Sequence, residues 1–335
     1  MKGVDKPKYH LGGNFGREYD EKIMETYNRK FGKYPQKKSV PLDDGNHPET
    51  NTSPLLSEKD HALYMSLVGS LQWCVTLNRI DITYSVIVMS RFCVEPREGH
   101  MACVHQIYGY LYKHPTARLR FRTGIPDCES QFNAPVHNWM HSIYGEHEVE
   151  IFDGLPAPKG EPFRIMTFID SGLHHCKITG KASTGILQYV NQTPVEWSAK
   201  KQSTVETTTY GAEFVAARHG VDATIDTAFV LRSFGVNVEE PCWMIGDNHS
   251  VVTSSTIPHS QFGKRWLALA YHRVRAAIAH GILRFCHVDS KNNPADILTK
   301  ALGRVALWAT VDPLLFRQGE TLNKEQLEAL KIKMS

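Results

Sequence analysis

Arg164-Ile-Met-Thr-Phe-Ile-Asp170 is a short, largely apolar run that closes on an acid, and it reads as a β-strand. Two more strand-like stretches follow, Thr184-Gly-Ile-Leu-Gln-Tyr-Val190 and Pro194-Val-Glu-Trp197, and then a long helical pattern from Thr207 to Phe234. Within that pattern Phe214, Ala217, Val221, Ile225 and Ala228 recur at three- and four-residue spacing, and Gly235 stands where a helix C-cap belongs. Beyond it lie an apolar strand, Cys242-Trp-Met-Ile-Gly246, a short helix after Asp247 and a helix ending near Gly281. The strand Ile282-Leu-Arg-Phe-Cys-His-Val288 and a last helix opening at Asn293-Pro294 complete the series. The order β-β-β-α-β-α-α-β-α predicts an α/β sandwich around a mixed sheet.

Upstream the pattern is different. Residues 1–35 hold a strand-like stretch, Tyr9-His-Leu-Gly-Gly-Asn-Phe15, and a charged, helix-compatible run from Arg17 to Phe31, which reads as the end of a preceding unit. Residues 36–56 are rich in Pro, Asp, Asn, Ser and Lys with little periodicity and are expected to form an exposed linker. Helical spacing then runs from about Ser57 to Leu77, Asp81 to Cys93 and Gly99 to His114, so residues 57–125 are expected to form a small helical unit, with Leu119-Arg-Phe-Arg122 as a short strand. Residues 126–162 are weakly periodic, carry Trp139, Tyr144 and Phe152, and are read as a connector; 163–305 is the α/β domain and 306–335 a tail.

At 335 residues the chain is long enough for two cores. Its longest apolar runs, such as Val86-Ile-Val-Met89, fall far short of a membrane span, and no apolar segment follows the basic N-terminus, so neither membrane partners nor secretion is expected. Seven cysteines without paired spacing fit reduced thiols better than a disulfide framework. These features place the chain in the cytoplasm or nucleus. His100-x-x-Cys103-x-His105 is the nearest approach to a zinc site, and it falls in a helical stretch with no second ligand pair nearby. With 38 basic and 35 acidic residues the net charge is only +3, so any nucleic-acid binding has to come from local patches.

Four acids stand at suggestive places: Asp170 closing the first strand, Glu213 in the first turn of the long helix, Asp247 at the carboxyl end of the fourth strand and Asp296 in the last helix. Strand carboxyl ends are where α/β sites form. Phosphodiester hydrolysis by paired Mg²⁺ ions needs such hard oxygen ligands. Each acid also has a purely structural reading: Asp247 as a helix N-cap, Glu213 and Asp296 as partners of a helix N-terminus.

The stretch Thr193-Pro-Val-Glu-Trp-Ser-Ala-Lys-Lys-Gln-Ser-Thr-Val-Glu-Thr-Thr-Thr-Tyr-Gly-Ala-Glu-Phe-Val-Ala-Ala-Arg218 closely resembles the ribonuclease H region of copia-type retrotransposon polyproteins. Gly246-Asp-Asn-His-Ser-Val-Val252, Ala270-Tyr-His-Arg-Val-Arg275, Ala279-His-Gly-Ile-Leu283 and Asn293-Pro-Ala-Asp-Ile-Leu-Thr-Lys300 match further segments in the family's order. Tyr64-Met-Ser-Leu-Val-Gly-Ser-Leu-Gln-Trp73, Arg79-Ile-Asp-Ile82 and Pro96-Arg-Glu-Gly-His100 look like the thumb and connection that join polymerase to nuclease. The resemblance implies a ribonuclease H-like three-layer domain with a five-stranded mixed sheet. It assigns Asp170, Glu213, Asp247 and Asp296 as ligands of two Mg²⁺ or Mn²⁺ ions and as catalytic residues. Cys176 stands where the family usually has Asp, and the polymerase motif Tyr-x-Asp-Asp occurs nowhere in the chain, its only Asp-Asp pair being Asp43-Asp44, so DNA synthesis is not expected of it.

On this reading the substrate is an RNA·DNA hybrid, recognised by shape and 2′-hydroxyls, and the partner is the rest of a reverse transcriptase polyprotein, in the cytoplasm or in element particles. Lys200, Lys201, Lys264, Arg265, Arg273 and Arg275 are the expected phosphate contacts, each with the alternative of a solvated surface charge. Of His174, His175, His249 and His272, His175 is chosen as the catalytic histidine because it trails the first acid. Two other readings stand beside this one: a catalytically inactive element remnant that binds nucleic acid or a partner polymerase, and a related nuclease acting on DNA.

Overall fold

Ser57 caps a 20-residue helix, Glu58–Leu77: its hydroxyl oxygen accepts from the amide of Asp60 at 3.2 Å, meeting one of the donors a helix start leaves unpaired. That helix belongs to the first of two units into which the computed structural model divides the described residues, those up to Arg120 with those from Lys300 to Phe316, and Phe121–Thr299. The structure describes residues 9–10, 13–14, 17–145, 154–173 and 176–316.

In the first unit Tyr9–His10 pairs antiparallel with Gly13–Asn14, and helices α1 (Arg17–Phe31), α2 (Glu58–Leu77), α3 (Thr83–Ser90) and α4 (Glu98–Lys113) follow. The helical spacing of apolar residues becomes a core of Tyr64, Leu67, Leu71, Met89, Val104 and Ile107, none more than 2% exposed. Two of its buried hydroxyls are paired with backbone: Tyr64 Oη donates to the Met89 carbonyl at 2.7 Å and Tyr108 Oη to the Leu67 carbonyl at 3.2 Å. Arg79 and Asp81 form a buried two-pronged ion pair, Nε to Oδ1 at 3.0 Å and Nη2 to Oδ2 at 2.9 Å.

The expected exposed linker is packed. Leu42 is 1% exposed, the Lys38 amide donates to the Gly109 carbonyl at 3.2 Å, and Arg97 Nη1 donates to the Ser53 carbonyl at 2.6 Å. Its polar composition serves backbone pairing against α4, a role that periodicity does not register. The His100 and His105 rings are engaged in the same core, His100 Nε2 with the Pro48 carbonyl at 2.9 Å and His105 Nδ1 with Tyr27 Oη at 2.6 Å. The described part of the expected tail likewise carries a helix, Arg304–Val311, and a short strand, Leu315–Phe316, paired antiparallel with Arg118–Leu119.

The second unit is the α/β sandwich. Strands β1 (Ile165–Gly172), β2 (Ser183–Val190) and β3 (Thr193–Lys201) form an antiparallel meander, α5 (Thr209–Ser233) crosses over, and β4 (Cys242–Gly246) pairs parallel with β1. After α6 (His249–Thr256) and α7 (Ala268–Ala279), β5 (Leu283–His287) pairs parallel with β4, giving the order β5-β4-β1-β2-β3. A five-stranded mixed sheet with this meander and these crossovers is the ribonuclease H-like fold. Phe214, Ala217 and Val221 of α5 are fully buried against Ile165, Ile169 and Met244. The close approach depends on Gly220, where a Cβ would lie 2.6 Å from Ile169 Cγ2 and 3.1 Å from Met244 Sδ. The last expected helix is instead a 3-10 turn, Pro294–Leu298, placed against β1 and β2, and the α-helix begins only at Arg304. Asn293 explains the turn, because its side chain accepts from the Ala295 amide at 3.1 Å, next to a proline that fixes the first turn residue.

Residues 128–145 belong to this sandwich. Phe132 meets Phe168 and Trp243 edge-on or tilted at 6.2 and 6.3 Å, covering the sheet face opposite α5. Trp139 and Tyr144 enclose the Arg275 guanidinium together with Tyr271, at 4.9, 5.4 and 4.8 Å from the ring centres. Arg275, 2% exposed, also donates to the carbonyls of Ser254, Ile257 and Pro258. It is therefore a structural cation and is withdrawn from the expected phosphate contacts; its side chain satisfies carbonyls at the end of α6, which its sequence neighbours do not reveal.

Replacing Asp81 with alanine strands the buried Arg79 charge, and urea denaturation of Asp81→Ala is expected to show a loss of about 3–5 kcal/mol. A variant within about 1 kcal/mol of the wild type would contradict the assignment.

Candidate metal centre

Register decides where the first acids meet. β1 and β4 run parallel with Phe168 opposite Ile245, so Asp170 and Asp247, each two residues further on, reach the same level at the carboxyl edge of the sheet. Glu213 arrives from α5, whose N-cap is Thr208, its hydroxyl oxygen accepting from the Gly211 amide at 3.2 Å. The helix starts at Thr209, so Glu213 lies in its second turn rather than the first, beyond the reach of the helix-end amides. Instead Glu213 Oε1 accepts from the Ser171 amide at 3.2 Å, directly after Asp170. One carboxylate oxygen from each of Asp170, Glu213 and Asp247 then lies within 4.8 Å of the others.

The structural alternatives for these acids are taken by other residues. Asn248 caps α6, its side chain accepting from the Val251 amide at 3.2 Å, which releases Asp247 from that task. Asn293 does the same at the 3-10 turn that contains Asp296. Asp296 is half-buried in that turn and is not one of the three acids in mutual reach.

Asp170 and Glu213 are 4% and 6% exposed, so their charges face each other with little water between them. Burial pushes the Glu213 carboxyl well above the ordinary carboxylate range, the charges of Asp170 and Asp247 push it further up, and the Ser171 hydrogen bond opposes them. Ser171 Oγ is buried beside the cluster, where its hydroxyl joins its amide in opposing the rise at Glu213. Hard oxygen donors and crowded negative charge fit a divalent metal cation.

The basic residues are scattered by comparison. Lys200 and Arg265 are exposed and Lys201 is half-buried at the end of β3. Lys264 donates to Thr208 Oγ1 at 2.9 Å and lies over the Tyr210 ring, and Arg273 pairs with Asp222 at 2.9 Å. His174 and His175 lie outside the described residues. His272 Nδ1 is bonded to Tyr144 Oη at 2.8 Å, a packing role, while His249 stands 5.4 Å from the His287 ring. His287, passed over in the sequence, has Nε2 3.1 Å from the Asp247 carbonyl oxygen. Thr299, in the same segment as Asp296, also reaches the cluster without any local sequence signal: its hydroxyl donates to Asp170 Oδ2.

A raised Glu213 pKa means that the folded chain holds this proton more tightly than the unfolded one. Without metal, stability therefore falls as pH rises from near the ordinary value of 4.5 through the folded value. Glu213→Gln removes that slope, and in EDTA at neutral pH its Tm is expected to exceed the wild type's by about 3 °C or more. Equal pH profiles for the two proteins would refute the electrostatic account.

No protein-family model matches the chain. It is 25% identical over 247 residues to the retrovirus-related Pol polyprotein from transposon RE1 of Arabidopsis thaliana, covering 74% of this chain and 14% of that protein. It is 25% identical over 291 residues to that from transposon TNT 1-94 of Nicotiana tabacum, covering 86% and 19%. Among solved structures, RNase H1 from the halophilic archaeon Halobacterium salinarum NRC-1 aligns with 41% of this chain and 94% of its own at 20% identity and a TM-score of 0.31. The chain is thus a homologue of the retrovirus-related Pol polyproteins of plant transposons, spanning less than a fifth of their length, with its ribonuclease H-like fold in the Phe121–Thr299 unit.

Proposed function

We propose that the chain is a retrotransposon-derived ribonuclease H that hydrolyses the RNA strand of RNA·DNA hybrids by a two-metal mechanism, within a polyprotein whose thumb and connection correspond to the first unit. The observation that carries this reading is the buried cluster of Asp170, Glu213 and Asp247 at the carboxyl edge of the sheet. These residues would hold the ions, with Asp296 completing the set from the neighbouring turn. Ions bound there supply an activated water and stabilise the leaving oxygen. The chain's own contribution is to fix the carboxylates, through the Ser171 amide on Glu213 and the Thr299 hydroxyl on Asp170, and to keep bulk water from their buried side. Exposed Lys200 and Arg265 would meet phosphates, and Lys201, Lys264 and Arg273 would do so by leaving their present partners or half-buried positions. The cytoplasm or an element particle is the compartment that goes with this reading.

A second reading, a remnant that binds nucleic acid or a partner polymerase without cutting, is favoured by one observation, that Asp296 lies outside the group of three. Cleavage of a labelled RNA·DNA hybrid with Mg²⁺ or Mn²⁺ separates the two. The nuclease reading expects RNA cleavage that Asp247→Asn lowers by at least about 100-fold, the upper end of what losing even an outer-shell partner costs, with a ribonucleotide-free duplex left intact. A folded wild type that binds hybrid without cutting it establishes the remnant instead. Binding by Asp247→Asn, measured against salt, is expected to lose about one unit of slope in log K against log salt when Lys200→Ala is added. An unchanged slope removes Lys200 from the interface.

A further inference from the structure

Two hydrogen bonds fasten the segment Asn293–Thr299 to the end of β1. Asn293 Nδ2 donates to the Ile169 carbonyl at 2.8 Å, and Thr299 Oγ1 donates to Asp170 Oδ2. Both residues are buried, Asn293 at 2% exposure and Thr299 at 0%. The space they occupy exists because two strand positions have no side chain. A Cβ on Gly185, which lies opposite Asp170 in the β1–β2 register, would sit 2.8 Å from Thr299 Cγ2 and 2.9 Å from Leu298 Cβ. A Cβ on Gly172 would sit 2.9 Å from the Thr299 carbonyl oxygen. Sequence on three separate segments is thus spent on bringing one hydroxyl to one carboxylate oxygen.

The chemistry of that contact is orientation. An aspartate carboxylate turns about its terminal torsion over a broad range, so an unrestrained Asp170 would present its oxygens to the cluster in many directions. Threonine is stiff at χ1, and with its methyl lodged against Gly185 its hydroxyl direction is set. Fixing Oδ2 fixes the carboxylate plane and with it the remaining oxygen. We infer that Thr299 is a positioning residue that orients the Asp170 carboxylate for cation binding, with Gly185 and Gly172 as the openings that admit it. The inference rests on reading Asp170, Glu213 and Asp247 as a metal centre. It also accounts for Asn293-Pro-Ala-Asp-Ile-Leu-Thr299 as a unit whose two ends hold the turn in place.

The test is Mn²⁺ binding to the full chain without nucleic acid, measured by titration calorimetry on wild type, Thr299→Val, Thr299→Ser, Gly185→Ala and Asp247→Asn, with folding checked by near-ultraviolet circular dichroism. Loss of an outer-shell partner typically lowers metal affinity about 10- to 100-fold, and that loss is expected for Thr299→Val, which keeps the shape and removes the hydroxyl. Thr299→Ser, which keeps the hydroxyl, is expected to stay within about threefold of the wild type. Gly185→Ala keeps the hydroxyl but displaces it, and a loss like that of Thr299→Val is expected, which keeps the test decisive should the valine variant not fold. Wild-type affinity in Thr299→Val or in folded Gly185→Ala overturns the inference, as does a loss in Thr299→Ser equal to that in Thr299→Val. A wild type that binds no Mn²⁺, or an Asp247→Asn variant that binds it as well as the wild type, overturns the metal-centre reading itself, a result distinguishable from failure of the Thr299 arm alone.

Discussion

Mutual repulsion among three carboxylates is the constraint on which the second unit turns. Asp170 and Glu213 are almost wholly buried with oxygens no more than 4.8 Å apart. At an effective dielectric constant near 20, two full charges at that spacing oppose each other by about 3 kcal/mol. A chain selected for stability alone has no use for this. The fold maintains it through features that are individually ordinary: parallel pairing of β1 with β4, an amide from Ser171, and an α5 drawn close to the sheet by Gly220. Burial, and after it this repulsion, raises the proton affinity of Glu213, and a divalent cation would relieve the same repulsion.

Charge elsewhere in the chain is treated differently. Arg79 is buried with Asp81 on a two-pronged contact, and Arg275 is buried among aromatic rings and backbone carbonyls. In both places the charge is compensated within its own unit, so the side chain is committed to structure. At the acidic cluster the compensation is incomplete, and incomplete compensation in a buried place is the physical signature of a site.

The second unit was legible because its elements are long and periodic. The meander, the crossover helix and the last two strands were all placed from apolar spacing, and the ends of β1 and β4 fell at the acids that the structure brings together. What escaped has particular causes. The segment 36–56 is polar because it pairs its backbone with α4, so composition alone made it resemble a solvated linker. Asn293 and Pro294 carry the marks of a helix start, yet the Thr299 hydroxyl and the Asn293 amide bind the segment to β1 as a 3-10 turn. Arg275 sits in a basic run and looks like its neighbours, but its partners lie 131 and about 20 positions earlier in the sequence, beyond any local pattern. The acids were legible as types; their grouping into three, with Asp296 in the adjoining turn, is a property of register and tertiary packing.

The most direct test of the central claim, that the carboxylate cluster is a cation site, is anomalous diffraction from crystals grown in Mn²⁺. The account predicts an anomalous peak among Asp170, Glu213 and Asp247, at coordination distance from their oxygens, that disappears in Asp247→Asn crystals. A map with no peak there at saturating Mn²⁺, in crystals where the three carboxylates keep their present spacing, would contradict it.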